Sequence, residues 1–335
     1  MTQVVNQNTD RVANPLFPPA GANLPPSTAE AKNIDSASLQ KLQGRLQGIF
    51  VNYIKGISSV FGSYVTSGIN LVRTIPGRLI DNEATLVQHE KYAQLACDAG
   101  FDESRLSETD DFKRVDLVQN SKTGFSSSIY VNDSTNEVVI AYRCTDNKPG
   151  VTSDIQMIKK QIPDQYADAE KVYQDVMEKY PDAKITIAGY SLGGSLAQLI
   201  ASTYEEAKAI TFNAFGTLQV INNNGLKDNK NIINYTTATD IVCAVTPHPG
   251  ITRTINNAGY IDFNKIMKSQ LGYFNECIKK AHCMSNFTDL RNVNYVNENV
   301  AKAQRILLKE AVNLVGNFLK TQPALTRVIP NLFFA

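Results

Sequence analysis

One serine of this chain stands in a pattern that is typical of nucleophiles. Residues 189–193 read Gly-Tyr-Ser-Leu-Gly, between strand-like text at 184–190 and helix-like text at 192–204. A tight turn from a strand into a helix needs small residues on both sides of the serine, and it exposes the hydroxyl at the edge of the sheet. The helix that follows points its free N–H groups at developing negative charge. The pattern predicts that Ser191 attacks acyl carbonyl groups.

A serine at its ordinary pKa is a weak nucleophile and needs a base. With a nucleophile on this kind of turn, the acid and then the histidine follow the serine along the chain. Two histidines lie downstream, His248 and His282, whereas His89 precedes the serine and fits poorly. His248 comes eight residues after the best acid, Asp240, on what reads as the same loop. His282 is far enough along to come from a separate loop, and it is the predicted base.

Asp240 is the predicted acid because it closely follows strand-like text at 231–237. Catalytic groups gather at the carboxyl ends of strands in a parallel sheet, and Asp240 is placed there. Asp228 precedes the same strand and would lie at the opposite edge, and Asp262 is the second choice. A turn-forming or helix-capping aspartate is the plainer alternative for Asp240.

Strand and helix patterns alternate through residues 83–295, as in a sheet of parallel strands covered by helices on both faces. The sequence therefore predicts an α/β-hydrolase fold, a mostly parallel sheet flanked by helices, with helical N- and C-terminal extensions. The predicted helices span 85–100, 168–180 and 192–204, and the predicted strands span 127–131, 137–143, 184–190, 207–215 and 231–237.

These residues resemble the class 3 lipases, the family that includes the fungal triacylglycerol lipases, over roughly residues 85–290. The most specific part is the run VVIAYRCTD at 138–146 together with ITIAGYSLGGSLAQL at 185–199. The resemblance implies a serine ester hydrolase acting on lipids. It also implies that Thr145 and the backbone N–H of Leu192 form the oxyanion hole, the pair of donors that binds the negative oxygen of the reaction intermediate.

The resemblance has gaps as well as matches. Cys144 stands where the family usually has glycine, and Phe215 stands where a Gly-Ala-Pro run would have proline. Residues 245–281 have no clear counterpart in the family. Asp240 in the run TTATDIVCAV resembles the acid of the family, and His282 in the run AHCMSNF resembles its histidine.

Composition excludes several other functions. The net charge is +1, from 33 basic and 32 acidic residues, so a nucleic-acid partner is not expected. The five cysteines are odd in number and show no Cys-x-x-Cys spacing, which disfavours a disulfide framework or a zinc site. No cofactor and no metal are expected.

The flanking regions divide into three predicted parts. Residues 1–35 read as a disordered leader, 36–82 as a basic amphipathic helical segment, and 296–335 as a C-terminal helix with an apolar tail. The basic segment could lie on a membrane surface or pack as a helical pair on the core. The leader lacks the features of a standard signal peptide. This predicts a cytoplasmic or peripheral membrane protein and leaves open export by another route.

The class of substrate is predicted from two segments outside the proposed triad. Residues 153–163 lie where class 3 lipases carry a lid. The apolar residues of this segment could cover the acyl site, and Lys159 and Lys160 could face lipid headgroups; these apolar residues are Ile155, Met157, Ile158 and Ile162. With the basic segment, this favours a phospholipid in a membrane over neutral fat. Two alternatives stay open: a non-catalytic membrane-binding protein on a hydrolase scaffold, and a thioesterase or peptidase with the same three side chains.

Overall fold

A computed structural model describes residues 75–106, 111–144, 153, 156, 160–244, 246–256, 280–297, 301 and 305. All of them belong to one compact unit, residues 59–309. A second unit, residues 1–58 with 310–335, lies outside the described residues. The predicted leader, most of the predicted basic segment and almost all of the predicted C-terminal helix therefore also lie outside them.

Nine strands form one sheet in the described part of the chain. In chain order they are β1 (Ile75–Pro76), β2 (Lys113–Asn120), β3 (Phe125–Asn132), β4 (Glu137–Tyr142), β5 (Lys184–Tyr190), β6 (Lys208–Phe212), β7 (Ile232–Thr237), β8 (Ile251–Ile255) and β9 (Asn294–Val296). Their order in the sheet is β1-β9-β8-β7-β6-β5-β4-β3-β2. Strands β4 to β8 run parallel, and the pairs outside them at both ends are antiparallel.

Helices cover both faces of this sheet. They are α1 (Glu83–Asp98), α2 (Tyr166–Lys179), α3 (Leu192–Thr203), α4 (Leu218–Asn223) and α5 (Ile241–Ala244), with 3-10 turns at Gly77–Leu79 and Met284–Phe287. Along β4, Val139 packs into the cluster that holds the apolar residues of α1, whereas Val138 and Ile140 pack with α2 and α3. Because successive strand residues point to opposite faces, a strand buried on both sides must be apolar throughout, as β4 is.

The predicted fold class is confirmed, and every predicted strand and helix between 83 and 240 is present within a few residues of its expected ends. The strand predicted at 207–215 ends earlier, at Phe212, because Asn213 takes a left-handed φ of 43°. Strands β2, β8 and β9 were not predicted from the sequence. Residues 75–82, assigned there to the basic segment, contain β1, which pairs with β9 in the sheet. Among the described helices, none combines the length and hydropathy needed to span a bilayer.

Candidate active site

Ser191 occupies the turn between β5 and α3 in a strained backbone conformation. Its φ is 53° and its ψ is −122°, a region that residues other than glycine rarely adopt. The Ser191 N–H donates to the Phe212 carbonyl oxygen of the neighbouring strand at 3.0 Å. The side chain is therefore held at the carboxyl edge of the parallel strands, in a residue that is 9% exposed.

The glycines on either side let this turn close. A Cβ added to Gly189 would lie 2.4 Å from the carbonyl carbon of Gly193, and one added to Gly193 would lie 2.1 Å from the carbonyl oxygen of Tyr142. Both distances are far below van der Waals contact, and both meet backbone atoms that cannot yield. The spacing seen in the sequence thus reflects the close approach of β4, β5 and α3.

The structure brings Ser191, Asp240 and His282 together. The His282 Nε2 lies 3.0 Å from the Ser191 Oγ, and the His282 Nδ1 lies 2.8 Å from the Asp240 Oδ2. Because a carboxylate only accepts, the imidazole Nδ1 carries the proton, and Nε2 is left to accept from the hydroxyl. Asp240 is fully buried, and its second oxygen accepts the Val242 N–H at 2.9 Å. The carboxylate is thereby fixed in direction.

The other histidine downstream lies elsewhere. His248 places its Nε2 3.0 Å from the carbonyl oxygen of Cys243 and its Nδ1 3.3 Å from the side-chain nitrogen of Gln198. Burial lowers the pKa of His248 to about 4, so it is uncharged at neutral pH. Asp228 accepts the Gly250 N–H at 2.6 Å, in a loop next to the start of β8. Asp262, the second choice for the acid, lies outside the described residues.

Tyr190 contacts the candidate base, which the sequence analysis did not predict. Its ring centroid lies 4.9 Å from that of His282, and its hydroxyl donates to the His282 carbonyl oxygen. Burial raises the pKa of Tyr190, and the negative charge of Asp240 raises it further. The hydroxyl therefore stays a donor across the neutral range. The signal for this contact in the sequence is an aromatic residue directly before Ser191.

One of the two predicted oxyanion donors falls within the described residues. Leu192 is the first residue of α3, and N–H groups in the first turn of a helix have no acceptor within that helix. Thr145 lies outside the described residues. The Leu192 side chain packs with Phe215 and Val242 and forms with them a small apolar cluster next to Ser191 in the chain.

The predicted lid is described only in part. The side-chain amide of Gln156 and residue Asp164 exchange two hydrogen bonds of 2.9 Å, which close a short loop. Ile162 was expected to cover the acyl site, but it packs against the cluster of Leu199, Val220 and Ile221 between α3 and α4. The other apolar residues of the segment lie outside the described residues.

The sheet order and the strained strand–helix turn define an α/β-hydrolase fold, as the sequence predicted. The chain belongs to the family of Tle-like phospholipase domains, and residues 83–276 match the model of that family. The match covers more than half of the chain. It confirms that this is a lipase-type α/β-hydrolase, and it agrees with the predicted enzyme class.

Short stretches of the chain are similar to curated fungal proteins. The candidate lipase ATG15 of Candida glabrata is 49% identical over 53 residues, which is 16% of this chain and 10% of that protein. The candidate lipase ATG15 of Eremothecium gossypii is 49% identical over 47 residues, or 14% of this chain and 8% of that protein. The chain thus spans about a tenth of the length of these relatives.

Solved lipases resemble the chain remotely. The Lip2 lipase of Yarrowia lipolytica is 16% identical, with 56% of this chain and 83% of that chain covered and a TM-score of 0.41. Lipase II of Rhizopus niveus is also 16% identical, with 52% and 82% covered and a TM-score of 0.37.

Proposed function

We propose that this protein hydrolyses the carboxylic esters of lipids, with phospholipids as the favoured class, through an acyl-enzyme on Ser191. The observation that carries the proposal is the pair of contacts at the sheet edge, 3.0 Å from imidazole to hydroxyl and 2.8 Å from imidazole to carboxylate. A hydroxyl, an imidazole and a buried carboxylate in this order activate serine for acyl transfer.

The proposed reaction has two halves, and in each half His282 first takes a proton and then gives it up. The Ser191 Oγ attacks the ester carbonyl carbon while the His282 Nε2 takes its proton, and the buried Asp240 stabilises the imidazolium that forms. The negative oxygen of the tetrahedral intermediate is bound by the Leu192 N–H, with Thr145 as the second donor that the sequence resemblance implies. His282 then protonates the leaving alcohol. In the second half His282 takes a proton from the water that attacks the acyl-enzyme, and it returns this proton to the Ser191 Oγ as the fatty acid leaves.

Two observations support a lipid over other acyl compounds. The chain belongs to a phospholipase-like family. An apolar cluster of Leu192, Phe215 and Val242 adjoins the nucleophile, where an acyl chain would enter. The membrane-surface role of residues 36–82, and a peripheral location with it, stay predictions that follow from the sequence.

Replacement of the nucleophile tests the chemistry. Ser191→Ala should lower kcat roughly a million-fold, because losing the nucleophile of such a triad costs about as much as losing all of it. Ser202→Ala, a buried serine later in α3, is the matched control and should keep the wild-type rate. The assay follows fatty-acid release from phospholipid vesicles, a triglyceride emulsion and an acyl thioester. Retained activity in Ser191→Ala contradicts the assignment, and the substrate with the highest kcat/KM decides the class.

Two further measurements separate the alternatives. A serine-directed fluorophosphonate should label the wild type and Ser202→Ala but not Ser191→Ala. A wild-type protein that resists labelling would instead be a non-catalytic binding protein.

Hydrolysis of a soluble short ester should rise when anionic vesicles are added, because a lipid surface would be the working environment. Equal rates with and without vesicles would contradict that role.

A further inference from the structure

The residue directly after β6 joins the segments that carry all three proposed catalytic side chains. Asn213 is fully buried and has a left-handed φ of 43°. Its side-chain Oδ1 accepts the backbone N–H of Thr237 at 2.9 Å, and its Nδ2 donates to the carbonyl oxygen of Ala281 at 2.9 Å. The backbone donor and the backbone acceptor fix which end of the amide faces each partner.

Each of these contacts leads to one member of the triad. Ala281 directly precedes His282, so the contact from Asn213 holds the main chain of the histidine loop. Thr237 ends β7, and its carbonyl oxygen accepts the Asp240 N–H at 3.2 Å. On the serine side, the residue before Asn213 supplies the carbonyl oxygen that accepts the Ser191 N–H at 3.0 Å.

The side chain at this position must meet two requirements. It must tolerate a left-handed φ, which asparagine does better than most residues. It must also present an acceptor to the Thr237 N–H and a donor to the Ala281 carbonyl oxygen, as the two ends of one side-chain amide do. Glycine meets the first requirement without the second, and aspartate offers no N–H for the Ala281 carbonyl. Thr237 adds a second bond to that carbonyl, from its hydroxyl at 2.7 Å.

We propose that Asn213 is a positioning residue, which sets the His282 imidazole between Ser191 and Asp240 by tying the histidine loop to the end of β7. The inference rests on the proposed function, since it concerns the same site. The hydrogen bonds described for the Asn213 side chain go to Thr237, Ala281 and Cys243, so its effect on the three proposed catalytic side chains passes through the backbone of the loop.

The test compares Asn213→Gly with Asn229→Gly in the full-length chain. Asn229 is also a buried amide that bridges backbone groups, with its Nδ2 2.7 Å from the Ala201 carbonyl oxygen and its Oδ1 2.8 Å from the Asn231 N–H. It precedes β7, at the end of the sheet opposite the triad. The control therefore reports the cost of losing a buried bridging amide without disturbing the histidine loop.

We expect Asn213→Gly to lower kcat for a soluble p-nitrophenyl ester about 100-fold with KM unchanged, the size expected for misplacement of a catalytic group. Its fluorophosphonate labelling should slow in parallel, because labelling needs the activated serine but little substrate binding. Asn229→Gly should keep both rates while losing comparable stability in urea. Asn213→Asp should slow labelling too, since it keeps the acceptor for Thr237 but loses the donor to Ala281.

If Asn213→Gly does not fold, Thr237→Val removes one bond to the same carbonyl with little change in shape, and it should lower kcat with KM unchanged. The inference is wrong if the folded variants at 213 and 237 match the Asn229→Gly control, or if only KM changes. Ser191→Ala is run alongside. Activity in that variant, or an inert wild type, overturns the proposed function itself, whereas an inactive Ser191→Ala beside an unimpaired Asn213→Gly overturns only the positioning role.

Discussion

Two histidines of this protein each contact a hydroxyl, yet their surroundings differ sharply. His282 lies 3.0 Å from the Ser191 hydroxyl at the sheet edge, and its side chain is 21% exposed. His89, in α1, lies 2.8 Å from the Tyr235 hydroxyl beneath the helix and is 1% exposed. Burial, helped by the positive charges of Lys208 and Arg253, lowers the pKa of His89 to about 3.

The difference lies in the second nitrogen of each ring. In His282 that nitrogen faces a buried carboxylate, so a proton gained at the other nitrogen is electrostatically stabilised. In His89 it has no hydrogen-bond partner among the described residues, and Arg253 donates to the same Tyr235 hydroxyl at 3.0 Å. A hydroxyl–imidazole contact alone is therefore a packing feature. A carboxylate behind the ring and a path to solvent give it the capacity for proton transfer.

The strongest test of this contrast removes the histidines in turn. His282→Gln should lower kcat roughly a million-fold, because the proposed base is lost. His89→Gln and His248→Gln should keep the wild-type kcat, since both rings are buried and uncharged at neutral pH. Ester hydrolysis by the three purified variants measures this, and loss of activity in either control variant that remains folded would break the comparison.

A smaller effect is expected when only the carboxylate is changed. Asp240→Asn should lower kcat about 10,000-fold, because an amide can donate to Nδ1 and so hold the imidazole in the wrong tautomer. The substitution makes the surroundings of His282 resemble those of His89, a ring with no carboxylate hydrogen-bonded to it in the described part of the chain. Steady-state kinetics with the soluble ester measure the loss. Unchanged turnover would mean that the buried carboxylate serves the fold alone.

The smallest effect concerns stability and pH. The folded pKa of His89 lies near 3 and the unfolded value is 6.5, so between these values the unfolded chain binds the extra proton. The contribution of the neutral, buried His89 to the free energy of unfolding is fully present above pH 6.5. It is lost as the pH falls towards 3, by at most about 1.4 kcal/mol per pH unit for this group.

Urea unfolding of the wild type and His89→Gln at pH 7, 6 and 5 measures this slope. The variant should lose less stability on acidification than the wild type. His248, with its pKa lowered to about 4, contributes a loss of the same sign in both proteins and cancels in the comparison. Equal slopes would contradict a neutral, buried His89.

Sequence reasoning succeeded where the structural constraint is local. The turn at Ser191 needs glycines within two residues. The helices repeat apolar residues every three to four positions, and the doubly buried strands are short continuous apolar runs, so both can be recognised from a short stretch of sequence. It missed β2, whose residues are mostly exposed or half-buried, and the short strand β9. Such elements form because a neighbouring strand pairs with them, which a local pattern does not show.

The sequence by itself determined the class of sheet, and it predicted Ser191 as the nucleophile and the order of its partners along the chain. Only the tertiary structure decided which histidine reaches the serine, because His282 and Ser191 are 91 residues apart and Asp240 is 42 residues from His282. It also decided that Asn213 bonds to residues near both. Contacts between distant segments depend on the order and register of strands, and these are set by the packing of the whole sheet.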